Sequence, residues 1–94
     1  MKGMTLNQLR RTMAVHDEIE FSYRGEPYNF QKNPAEDLRT NISIWRGGDN
    51  PECIYSVTIF KGESFVEDLI SAKIFPDGKS IVDGEANIDV EFFA

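Results

Sequence analysis

The stretch Asp17 to Gln31, DEIEFSYRGEPYNFQ, constrains the fold more than any other part of the chain. Ile19, Phe21 and Tyr23 alternate strictly with Glu18, Glu20, Ser22 and Arg24, which is the period of a half-buried strand. The run Arg24-Gly25-Glu26-Pro27 then makes a turn, after which Tyr28 and Phe30 alternate with Asn29 and Gln31. Folding the second run back across the turn sets Ile19, Phe21, Tyr23, Tyr28 and Phe30 on one face. A lone hairpin is marginal in water, and one with an aromatic face must bury that face, so the rest of the chain has to cover and extend it. Pro27 lacks the N–H that would close a Gly25-Glu26 loop, so a four-residue loop closed by Tyr23 and Tyr28 is expected, with Phe21 opposite Phe30. A turn at Arg24-Gly25 would instead pair Phe21 with Tyr28 and Ile19 with Phe30, and would keep the same face apolar.

Before the hairpin, Thr5 and Gln8 form a capping box, and Met4 can staple onto Leu9. Leu6, Leu9 and Met13 then recur at helical spacing, which predicts a helix ending near Val15, with His16-Asp17 turning into the hairpin. After it, Asn33-Pro34 suits a short helical turn anchored by Leu38. A third strand is expected from Asn41 to Arg46, with Ile42 and Ile44 inward and Ser43 and Trp45 on the other face. Gly47 to Pro51 is a loop with no phosphate-cradle pattern. Glu52 to Phe60 carries Cys53, Tyr55, Val57 and Ile59 on one face and Ile54 and Phe60 on the other, which argues for a central strand. Ser64 and Glu67 make a second capping box ahead of a two-turn helix. Pro76-Asp77-Gly78-Lys79 is a turn, and the last strand alternates Ile88, Val90 and Phe92 against Asn87, Asp89 and Glu91, a charged outer face suited to a sheet edge.

These elements predict an α+β fold over one domain, residues 1–94: an antiparallel sheet of four or five strands with two short helices packed on one face. The 40% hydrophobic and 28% charged composition is that of a globular chain. No apolar run is long enough to span a bilayer, and Met1-Lys2-Gly3-Met4 leads into an amphipathic segment instead of a signal core, so a cytoplasmic location is expected and no membrane partner. The single cysteine, Cys53, cannot form an internal disulfide and falls in an apolar strand pattern, where a packed thiol is expected.

The net charge of −6 is uneven, with seven basic and six acidic residues in 1–48 against three and ten in 49–94. An acidic chain repels phosphate backbones, which argues against direct nucleic-acid binding. Asp83, Glu85, Asp89 and Glu91 lie along a flat strand face without a loop to wrap a cation. His16 and Cys53 both have structural explanations, Glu18 and Glu20 have a spacing common to any polar strand face, and no cofactor motif is present, so neither enzyme chemistry nor a cofactor is expected. The candidate interaction surface comprises Trp45, Ser43, Glu18, Glu20, Asp89 and Glu91. Trp45 on a polar face is either a contact residue or covered by a loop or chain terminus. The aromatic bundle exceeds what two short helices easily cover, which leaves a homodimer open.

The order of a helix, DEIEF, a glycine turn and an aromatic return strand, with KIFPDGKSI near the end, resembles small uncharacterised proteins of bacteria and their mobile elements. The resemblance implies this fold and brings no assigned reaction. The expected role is a non-catalytic adaptor or inhibitor that meets an unidentified protein partner. The alternative is an acidic nucleic-acid mimic or immunity-type inhibitor.

Overall fold

The computed structural model describes residues 1–94. Helix α1 (Leu6–Val15) is followed by β1 (Glu18–Tyr23), β2 (Glu26–Ala35), β3 (Arg39–Arg46), β4 (Glu52–Phe60), α2 (Val66–Ser71), a 3-10 turn at Glu85–Asn87 and β5 (Ile88–Phe93). All neighbouring strands run antiparallel in the order β4-β3-β2-β1-β5. Leu9 and Met13 of α1 and Leu69 and Ile70 of α2 enter one core with Ile19, Phe21, Phe30, Ile42 and Ile44. This is the expected α+β architecture, with both helices on one side of the sheet. Neither helix is long and apolar enough to cross a membrane.

Helix α1 begins as its sequence dictates. The Thr5 hydroxyl accepts from the Gln8 N–H at 3.1 Å, and the Gln8 amide accepts from the Thr5 N–H at 2.7 Å. The second capping box does not form. Phe65, stacked on Phe30 with centroids 6.1 Å apart, occupies the N-cap position of α2 without a side-chain cap. Glu67 is drawn instead to Arg10, 2.8 Å away. Tertiary contacts override the local signal.

The hairpin adopts the second of its two registers, pairing Phe21 with Tyr28, Ile19 with Phe30 and Tyr23 with Glu26. Arg24 and Gly25 form the two-residue turn with φ of 50° and 80°, the left-handed pair that matches strand twist. The expected four-residue loop is therefore wrong, and Pro27 explains why. In a two-residue hairpin Tyr23–Glu26 is the hydrogen-bonded pair, so Ser22–Pro27 is not, and the missing N–H faces away from β1. Pro34 is accommodated on the same principle. The Lys32 N–H donates to the Asp17 carbonyl at 2.8 Å, and Pro34, next in that series, falls beyond the start of β1. Strand β2 thus runs on to Ala35 in place of the expected helical turn. Leu38 anchors nothing: it stands 79% exposed in the β2–β3 loop, at φ 61°.

Strand β4 is an edge, not the centre, and β2 is central. A register shift between Ile44 and Trp45 leaves Cys53 beside Trp45 on the polar side, so the thiol is exposed instead of packed. A shift between Glu20 and Phe21 sets Phe92 opposite Glu20, which likewise turns Phe92 out of the core. In β5 the alternation is correct up to the bulge and inverted after it, and in β4 it is inverted before the bulge and correct from Tyr55 onward.

The helices do not cover the aromatic face alone. Phe75, in the coil between α2 and β5, lies against Tyr23 with centroids 3.8 Å apart and planes within 8°. Its ring meets Tyr28 and Phe21 edge-on at 5.2 and 6.5 Å. Ser80, Ile81 and Gly84 of the same segment are buried. All five hairpin aromatics and aliphatics, Ile19, Phe21, Tyr23, Tyr28 and Phe30, are between 0 and 4% exposed within one chain. The surplus of aromatic surface that suggested a dimer is absent.

Candidate interaction surface

Residues opposite each other in a ladder share a face, so the registers define the uncovered side of the sheet. One row across it is Glu18, Gln31, Ser43 and Ser56, and the next is Phe92, Glu20, Asn29, Trp45 and Cys53. Asn33, Asn41 and Thr58 form a third row, and Ala35, Arg39 and Phe60 a fourth. Asp89 stands beside Ser22 at the β5 margin, and Glu91 is the extra residue of the β5 bulge. The structure therefore gathers Glu18, Glu20, Ser43 and Trp45 on the same face, with Asp89 and Glu91 along its rim.

Trp45 is half-buried, and its indole N–H donates to the Ser43 hydroxyl at 3.2 Å. The ring thus leans along its own strand toward Ser43, which is only 4% exposed. Beside it, Asn29 Oδ1 is buried without a partner. Asn41 reaches across to β4 and donates to the hydroxyls of Ser56 and Thr58 at 3.2 and 3.3 Å. The centre of the face is thus a field of neutral amides and hydroxyls. At one corner the Arg39 guanidinium lies 5.1 Å above the exposed Phe60 ring. At the opposite margin a hollow of about 210 Å³ is lined by Glu20, Pro27, Asn29, Gly47 and Glu91, among others.

The carboxylates on this face are electrostatically unanswered. The salt bridges of the molecule are Arg10–Glu67, Arg24–Asp77, Arg46–Glu26 and Lys73–Asp83, and none involves Glu18, Glu20, Asp89 or Glu91. Asp83 and Glu85 do not join Asp89 and Glu91. Asp83 is held by Lys73 and the Ser80 N–H, and Glu85 begins the 3-10 turn.

A second polar cluster, which the sequence reading did not single out, lies at the tip of the β1–β2 hairpin. The Tyr23 hydroxyl donates to Asp77 Oδ2 at 2.7 Å, and Arg24 Nε stands 3.6 Å from the same oxygen. The Tyr23 hydrogen bond holds the Asp77 carboxyl below its ordinary value and pushes the Tyr23 phenol above its own. In sequence Asp77 reads only as a turn former, and nothing local in Pro76-Asp77-Gly78 reports a tyrosine distant in sequence. Beside it the Tyr28 hydroxyl is buried without a partner, and burial raises its pKa.

The direction of these shifts sets a pH dependence. A carboxyl with a depressed folded-state pKa contributes stability that is present above its ordinary value of 3.8 and lost as pH falls below it. Asp83, lowered chiefly by Lys73, acts in the same sense. The raised Tyr23 phenol adds stability that is present below pH 10.0 and lost above it. Denaturant midpoints measured across the acid range should therefore fall less steeply for Asp77→Asn than for wild type, and an unchanged acid limb would refute the assigned role of the Tyr23–Asp77 bond.

Comparison with protein-family models, curated proteins and solved structures found no match. The surface has to be interpreted from its own chemistry. One half offers a flat indole, neutral amides and an arginine-capped phenylalanine, and the other offers unpaired carboxylates. Both suit recognition of another macromolecule's surface.

Proposed function

We propose that this chain is a small, non-catalytic interaction module of the cytoplasm, an adaptor or inhibitor whose uncovered sheet face receives a protein partner. The observation that carries this reading is the convergence of Trp45, Asn29, Asn41 and the unpaired carboxylates Glu18 and Glu20 on a face that neither helix covers. Tryptophan and arginine anchors ringed by neutral polar groups are the composition of binding hot spots. The tight titratable cluster at Tyr23, Arg24 and Asp77 fits the non-catalytic assignment, because its hydrogen bonds tie a loop to the core. The acidic rim supports the second reading, a nucleic-acid mimic whose carboxylates compete for a basic site.

Capture from a host lysate with the tagged chain separates the two readings when Trp45→Ala and Glu18→Gln/Glu20→Gln variants run alongside. A Trp-centred interface predicts a partner that survives high salt and is lost with Trp45→Ala, whereas a mimic predicts one lost in high salt and with the double glutamine variant. Identical capture by all three proteins under both conditions would remove this face from the function.

A further inference from the structure

The sheet has two edges, and they are treated in opposite ways. On β5 the edge is already occupied at its start: the Lys2 N–H donates to the Ile88 carbonyl and the Val90 N–H donates to the Lys2 carbonyl, each at 2.9 Å. A bulge and the carboxylates Asp89 and Glu91 further break that edge. On β4 such devices are confined to the two ends of the strand. The stretch Cys53 to Phe60, CIYSVTIF, contains no charged residue, no proline and no glycine. Edges of this composition are normally blunted by charge or covered.

The pattern of hydrogen bonds identifies which backbone groups are free. The Lys61 N–H donates to the Leu38 carbonyl at 2.8 Å, and Arg39 is opposite Phe60, so Lys61, Ile59, Val57 and Tyr55 bond inward to β3. The N–H and C=O groups of Phe60, Thr58 and Ser56 therefore turn outward. Phe60 is closed off by Glu63, whose carboxylate accepts its N–H at 3.0 Å and whose own N–H donates to its carbonyl at 2.9 Å. The bulge interrupts the strand at Ile54. What remains is a regular open segment, Tyr55 to Ile59, centred on Val57. Its side chains on the helix side, Tyr55, Val57 and Ile59, pack against the core but stay only partly buried.

We infer that this segment pairs with the same segment of a second copy of the chain, antiparallel about a two-fold axis at Val57. The occupant follows from self-complementarity. Ser56 then faces Thr58 of the other copy and the reverse, which engages every free N–H and C=O of the segment in ladder bonds. Tyr55 meets Ile59 and Val57 meets Val57, so the apolar stripe continues across the junction, while the hydroxyls stay on the polar face. The contact is isologous and leaves only the obstructed β5 edges outside, so assembly stops at two copies. It leaves Trp45 and its face free, and it stands independently of the proposed function.

Sedimentation of the full chain over a range of concentrations should show conversion from one to two copies. Ser56→Glu/Thr58→Glu places glutamates directly opposite one another and should weaken the dimer by at least about tenfold. Both positions are solvent-exposed, so the thermal unfolding profile should remain cooperative. Mixing that variant with Ser56→Lys/Thr58→Lys should restore a dimer. In Cys53→Ser/Val57→Cys the two cysteines would stand about 4.5 Å apart between Cα atoms, the spacing of a non-hydrogen-bonded pair and within disulfide reach, so air oxidation should give a covalent dimer. A single-chain mass at every concentration together with no disulfide cross-link would overturn the inference. So would a dimer that persists unweakened in the double glutamate variant.

Discussion

Phe75→Ala should lower the unfolding free energy by about 3–5 kcal/mol, the range for truncating a buried phenylalanine. That is a large share of the roughly 5–14 kcal/mol expected for a domain of this length. The reason lies in what Phe75 touches. It is 3% exposed, lies flat on Tyr23 and meets Tyr28 and Phe21 edge-on, so it closes the end of the hairpin that the helices do not cover. Urea unfolding of Phe75→Ala beside Phe60→Ala makes the comparison direct, because Phe60 is 61% exposed and should change stability by no more than about 1 kcal/mol. Equal costs for the two variants would mean that the segment after α2 is not part of the core.

Gly84→Ala should cost about 1–3 kcal/mol by overpacking. The φ of Gly84 is −96°, an ordinary value for any residue, so the effect is steric and not conformational. A methyl group there would lie 2.5 Å from Tyr23 Cε1 and 3.0 Å from its hydroxyl oxygen. Tyr23 has little room to yield, since Phe75 holds its ring and Asp77 its hydroxyl. A double-mutant cycle with Tyr23→Ala isolates the clash: most of the Gly84→Ala penalty should disappear once the ring is gone. A penalty that persists in full would place its origin elsewhere.

The elements legible in the sequence are those whose signals are local. Thr5 and Gln8 cap α1 because no other group competes for either side chain. The alternation from Ile19 to Tyr23 gives the buried face directly, and Ile42 and Ile44 are inward as their spacing requires. Where a distant partner competes, the local signal misleads. Ser64 and Glu67 have a capping pattern, but Arg10 takes the glutamate and Phe30 positions Phe65. Pro27 excludes a two-residue turn only if its missing donor faces β1, and in the ladder it faces the other way.

Bulges account for most of the remainder. A strand period of two places Cys53 and Phe92 inward, and a single extra residue reverses that placement without leaving a mark in composition. The position of β4 failed for a different reason. Apolar residues at Ile54, Tyr55, Val57 and Phe60 resemble a strand buried on both sides, yet they belong to an edge that is partly open. Glu18, Glu20, Ser43 and Trp45 share one face as their spacing requires, because the extra residues at both register shifts belong to β5 and β4 and leave the alternation of β1 and β3 intact. The neighbours that give the face its chemistry, Asn29 and Asn41, passed as ordinary outward residues of a strand.

The position of β5 beside β1 also governs the order in which the fold can assemble. Strands β1 to β4 are neighbours in sequence and in space, so their ladders close through short turns. Strand β5 comes from the far end of the chain, and its pairing with β1 closes the longest loop in the sheet, a step that loop entropy makes slow. Until it docks, the backbone of β1 is an open edge, and Ile88 and Val90 are missing from the core. A growing chain therefore holds most of its hairpins before it can complete its sheet, and the interval between the two is when β1 is exposed to pairing with the wrong strand.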